Sequence, residues 1–129
     1  MPKILCVGNR HRLASLIEDE VGKAGYSALL QTPREALQKT APEVAAAILD
    51  WEANRKESRR ILGLLKSAGL PVVVITSHVA EAYGGEPFAD LYLEKPTTAQ
   101  VLATLILELL RLEIERQSLP RAGAGAIAA

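Results

Sequence analysis

Hydrophobic positions along this chain alternate between short unbroken runs and longer stretches with a helical stripe. After Lys3, Ile4-Leu5-Cys6-Val7 is unbroken, as in a strand covered on both faces, and Gly8-Asn9 turns the chain out of it. Apolar residues then fall at Leu13, Leu16, Ile17 and Val21, a helical spacing that closes at Gly25. Residues 26–30 predict a second strand. Thr32-Pro33-Arg34-Glu35 carries three helix-start signals: a capping threonine, a proline at the first helical position and a glutamate three residues past the cap. The run Ala45-Ala46-Ala47-Ile48-Leu49 predicts a third strand and ends abruptly in a carboxylate, Asp50.

The second half repeats the alternation. A polar loop over 54–58 feeds a helix with Ile61, Leu62, Leu64 and Leu65 on its inner side, ended by Gly69. After Pro71, Val72-Val73-Val74-Ile75-Thr76 is the most strand-like run of the chain. Residues 79–83 suit a helix, but Gly84-Gly85 and Pro87 stop it within about two turns. Leu91-Tyr92-Leu93 predicts a fifth strand that ends at Glu94-Lys95-Pro96, and a long last helix follows over 98–117. Five strands alternating with five helices predict an α/β three-layer sandwich around a parallel sheet, with right-handed crossovers. Residues 1–117 form one domain in this reading, and the tail 118–129 has too little to bury and is expected to be disordered.

Composition narrows the partners. The 129 residues suit one domain, and 49% hydrophobic with 23% charged residues is a globular profile. A formal net charge of zero gives no global field for nucleic acid or an anionic membrane. The most apolar segment, 101–112, is broken by Thr104, Glu108 and Arg111, which argues against a membrane span. Cys6 is the single cysteine, too few for an intramolecular disulfide or a zinc site. Met1-Pro2-Lys3 leads straight into the first strand without a signal-peptide pattern, so a cytoplasmic setting is expected.

Asp50 stands where open α/β sheets bind ligands, at the carboxyl end of a central strand. The plainer reading is a loop or helix-capping aspartate. Two more strand ends carry polar groups, Thr76 and Lys95-Pro96, and Tyr92 lies three residues before the lysine. This ordered set resembles the receiver domain of bacterial two-component response regulators, over residues 3–112. The resemblance implies a flavodoxin-like (CheY-like) fold with strand order 2-1-3-4-5 and a crevice between the first and third strands. It also implies that Asp50 accepts a phosphoryl group, Thr76 binds a phosphoryl oxygen, Lys95 pairs with the carboxylate, and Tyr92 moves inward when the site is occupied. Without it, Thr76 is a β-branched strand terminus, Tyr92 a half-buried aromatic and Lys95 a surface lysine.

One position set departs from the family. Receivers place two acidic residues after the first strand, and with the phosphoacceptor these hold Mg²⁺. Here the positions read Gly8-Asn9. Mg²⁺ is bound through carboxylates and gives up its water reluctantly, whereas this site sums to Asp50 against Lys95, already neutral, with Arg10 close behind. A charge pair near 4 Å is worth about 4 kcal/mol at an effective dielectric of 20, so an ion pair from Lys95 or Arg10 can stand in for the metal. Glu52 is the one substitute ligand in sight and is expected to face solvent. The reading that follows is a degenerate, or pseudo-receiver: a stand-alone signalling module without enzymatic activity, metal or cofactor, acting by protein–protein interaction with a histidine kinase or an output protein. The first alternative is a working phosphoacceptor at Asp50 with Mg²⁺. The second is a flavodoxin-like module that binds an anionic ligand through Arg10, Arg12 and Arg55.

Arg10, His11 and Arg12, with Arg55, Lys56, Arg59 and Arg60, are expected on one rim, where either an anion or Glu52 and Glu57 balance them. His11 and His78 are too isolated for a metal site. Asn9 suits a helix cap, and Trp51 core packing. The last helix, about 30 Å long by its rise per residue, overhangs strands of about 17–20 Å. Its apolar positions Leu102, Leu105, Leu109 and Leu112 are expected to form a homodimer or partner face.

Overall fold

The computed structural model describes residues 3–8, 12–38, 43–51, 55–95 and 97–118; the side chains of residues 12, 13, 55, 117 and 118 are not among the described atoms. The elements are β1 (Lys3–Val7), α1 (Arg12–Lys23), β2 (Ser27–Gln31), α2 (Pro33–Gln38), β3 (Ala46–Asp50), α3 (Arg55–Ser67), β4 (Val72–Thr76), α4 (Val79–Ala82), β5 (Leu91–Glu94) and α5 (Ala99–Ser118). The five strands form one sheet, β2-β1-β3-β4-β5, and every neighbouring pair is parallel. This is the predicted order. Because the strands alternate with helices, the chain never reverses within the sheet, and all strand carboxyl ends meet at one edge.

Side-chain alternation in β3 and β4 divides the interior into two cores. Ala47, Leu49, Val72 and Val74 point to one side, where Ile61, Leu62 and Leu65 of α3 and Ala36 of α2 cover them. Ala46, Ile48, Val73 and Ile75 point to the other, under Ile17 and Val21 of α1 and Leu102, Ile106 and Leu109 of α5. The helix-start signals at Thr32 are realised as a capping box. The Thr32 amide donates to Glu35 Oε1 at 2.9 Å, and the Glu35 amide donates to Thr32 Oγ1 at 3.2 Å. Gly25 and Gly69, past the ends of α1 and α3, take φ of +87° and +78°, the left-handed region that a β-carbon disfavours.

Three expectations change. Helix α3 begins at Arg55, inside the stretch read as a loop. Leu64 is 48% exposed and not on the inner side: it lies about 200° around the helix from the buried Leu62. Leu102 and Leu109 are fully buried in the second core, and Leu105 packs half-buried against it. They cannot present a face to a partner, because α5 spends its main apolar stripe covering the sheet; Leu112 is also half-buried. Helix α4 is a single turn, as the glycines and proline behind it required. No described helix is long and apolar enough to cross a membrane.

Candidate functional site

The sheet register brings the strand ends together. Asp50, the last residue of β3, stands opposite Ile75, and Thr76, the last of β4, stands opposite Glu94. The Lys95 amide then donates to the Thr76 carbonyl at 2.9 Å, carrying the lysine to the same edge. Its ammonium reaches back, with Nζ 2.6 Å from Asp50 Oδ1. The carboxylate side chain is 5% exposed and the lysine side chain 18%. A pair this enclosed is screened little by salt, and neither charge can be removed without leaving the other poorly solvated.

Gly8 closes the carboxylate from the β1 side. A β-carbon built on Gly8 would stand 2.8 Å from Asp50 Cβ, closer than real β-carbons approach, and 3.4 Å from Oδ2. The backbone here is held, since the Gly8 amide donates to the Gln31 carbonyl at 3.0 Å. Gly8 is therefore more than a missing charge; it is the space into which Asp50 packs. A small pocket lies beside them and is lined further by Cys6, Ile17, Leu30, Gln31 and Glu35. Burial, with a smaller push from Glu18, raises the Cys6 thiol to about 12, so it stays protonated.

The described residues do not fit Mg²⁺. The ion wants several oxygen ligands with net negative charge, whereas among the described residues one carboxylate stands here, already paired with an ammonium, and position 8 contributes only backbone. Among the described residues no group of three or more histidine, cysteine, aspartate or glutamate side chains could hold a metal ion.

No protein-family model and no curated relative matches the sequence. Solved structures do. A sensor protein from Polaromonas superposes with a TM-score of 0.72 at 22% identity, over 89% of this chain and 98% of that one. A CheY-like response regulator receiver domain from Methanospirillum hungatei gives 0.70 at 21%, over 89% and 98%. A response regulator receiver protein from Sinorhizobium medicae gives 0.74 at 20%, over 89% and 96%. The fold is that of a receiver domain.

Within this receiver fold the expected residues fall into three groups. Asp50, Thr76 and Lys95 meet at one edge of the sheet. Thr76 is buried, and its hydroxyl oxygen accepts the His78 amide at 3.0 Å, closing the turn into α4. Tyr92 is half-buried against the first core, its hydroxyl accepting the Ala89 amide at 2.9 Å and its ring 5.2 Å from that of Tyr83. Asn9, Arg10, His11, Glu52 and Pro96, together with the side chains of Arg12 and Arg55, lie outside the described residues.

Arg59 corrects the predicted rim. It turns inward, its guanidinium carbon 5.1 Å from the centre of the Trp51 ring. Nη1 donates to the Gly85 carbonyl at 2.8 Å, with longer contacts to the Glu86 and Glu81 carbonyls at 3.4 and 3.5 Å. No local pattern marks this arginine, because its partners lie 22 to 27 residues along the chain.

Proposed function

We propose that this chain is a receiver-type signalling module that acts by binding another signalling protein, a histidine kinase or an output protein, in one resting arrangement. Asp50 serves in this reading as a fixed counter-ion to Lys95 and not as a Mg²⁺-dependent phosphoacceptor. The observation that carries it is the contact of Gly8 with Asp50, where a β-carbon at position 8 would stand at 2.8 Å. The place of an acidic ligand is filled by the phosphoacceptor-like side chain itself. Phosphoryl transfer relies on a metal to neutralise developing charge, and a pre-formed ion pair lowers the attraction of the site for a dication.

One observation favours a second reading. Asp50, Thr76 and Lys95 are gathered at the strand ends, the set that a phosphoacceptor would use. Intact-mass measurement after incubation with Mg²⁺ and acetyl phosphate separates the two. The expected result is unmodified protein; a stoichiometric phosphoryl adduct that disappears in Asp50→Asn establishes the second reading instead. For the surface that meets a partner, we propose the outer side of α5, where Leu107 and Ile114 are 63% and 62% exposed, with a second copy of the chain as its occupant.

A further inference from the structure

The sheet order β2-β1-β3-β4-β5 leaves two edges, and they differ. At β5 the edge carries charge: Asp90 precedes the strand, Glu94 ends it exposed, and Lys95 follows. Charges of this kind keep a foreign strand from adding to a sheet. At β2, residues 26–32 hold no charged side chain and no proline, and every residue of the strand is half-buried. Leu29 packs beside the first core, and Ala28 and Leu30 beside the second.

The backbone of β2 is paired on one side. The Gly8 amide donates to the Gln31 carbonyl at 3.0 Å, so the main chain of Gln31 faces β1. Main-chain groups alternate in direction along a strand of a parallel pair, which turns Ser27 and Leu29 to β1 as well, and Ala28 and Leu30 away from it. Ala28 and Leu30 thus each present an N–H and a C=O at the outer edge, where no described strand pairs with them. An extended chain has donors and acceptors at the matching spacing.

The charges beside the edge indicate what such a chain carries. Ala14 of α1 lines the small pocket together with Leu30 and Gln31. Glu18 lies one turn further along α1 on the same side. It is exposed, and it is near enough to Cys6, the register partner of Leu30, to act on the thiol. Asp19 beside it is exposed too, whereas Lys23 is already paired with Glu20. A second copy docked antiparallel by its own β2 would bring Glu18 towards Glu18, because the twofold axis keeps both α1 helices on one face of the joined sheet. A basic partner meets no such conflict.

We propose that the outer edge of β2 is the docking site for an extended segment of a partner protein, which adds as a sixth strand and sets lysine or arginine side chains against Glu18. The inference rests on the reading of the chain as a binding module and supplies the surface for its signalling partner, distinct from the α5 face assigned to a second copy. Ala28 and Leu30 give the partner main-chain bonds, and Glu18 selects its charge.

Residue-resolved amide exchange by NMR on the full chain tests this, with a short synthetic peptide of alternating lysine and valine as the probe. Saturating peptide should slow exchange of the Ala28 and Leu30 amides by about tenfold, the scale of one net hydrogen bond, and leave Leu107 and Ile114 unchanged. The matching glutamate–valine peptide should have no effect on wild type and should bind Glu18→Lys more tightly than wild type. Ala28→Pro removes an outward N–H without touching the β1 ladder and should abolish the slowing at Leu30. Ala28→Lys, which places a charge on the edge, should give the same loss and serves if the proline variant folds poorly. The proposal is overturned if Ala28 and Leu30 exchange equally fast with and without the lysine–valine peptide, or if both peptides slow them equally. It is overturned also if raising the protein concentration alone slows them, which makes a second copy the occupant. A phosphoryl adduct on Asp50 removes the binding-module reading instead and leaves the result at the edge standing.

Discussion

At Gly8 the sequence and the structure say different things about one residue. As a letter it reads as a lost carboxylate; in space it is the clearance that admits Asp50 between β1 and β3. The contact was not legible, because 42 residues separate the two positions in the chain. Gly8→Ala should destabilise the protein by about 1–3 kcal/mol, the usual cost of overpacking an enclosed site, seen as a lower urea midpoint with an unchanged slope. Cys6 supports a pH prediction at the same scale. Its thiol rises from 9.0 to about 12 on folding, so the folded state holds the proton more tightly. The contribution is complete below pH 9.0 and is lost as pH rises towards 12, at about 1.4 kcal/mol per pH unit. Cys6→Ala should be less stable than wild type at neutral pH, from the lost packing, and should lack this alkaline decline; equal pH profiles for the two proteins would remove the assignment.

Among the elements, those with unbroken runs or explicit punctuation were legible: Val72–Thr76 as a strand, the early stop of α4, and the capping box at Thr32. Local chemistry decides such features, and local chemistry is what a sequence displays. Thr32→Ala should lower stability by about 1 kcal/mol, measured by thermal or urea unfolding. The α5 stripe was misread for the opposite reason. Apolar positions recur on more than one side of that helix, and periodicity cannot say which side the sheet claims. The deciding fact is the row Ile48, Val73 and Ile75 beneath it, which draws in Leu102, Ile106 and Leu109.

Across the whole molecule, the outward side of α5 is an apolar feature left uncovered by the described residues. With Leu102 and Leu109 buried, the outward side of α5 is carried by Leu107 and Ile114, seven residues apart and so on one face. Arg111 lies between them, paired with Glu108 and Glu115. The two leucine-sized groups are exposed by 63% and 62%, enough to seed a small contact and not enough for a permanent one. A concentration-dependent homodimer is therefore expected by size-exclusion chromatography with light scattering, and Leu107→Glu with Ile114→Glu should give a monomer whose thermal stability is close to wild type. Leu102→Glu, by contrast, should unfold the chain, because it places a charge in the second core. The Arg111 guanidinium holds Glu108 below its ordinary 4.5, so the Glu108 charge persists as pH falls to that value. A wild-type protein that stays monomeric at high micromolar concentration would mean that α5 has a different occupant or none.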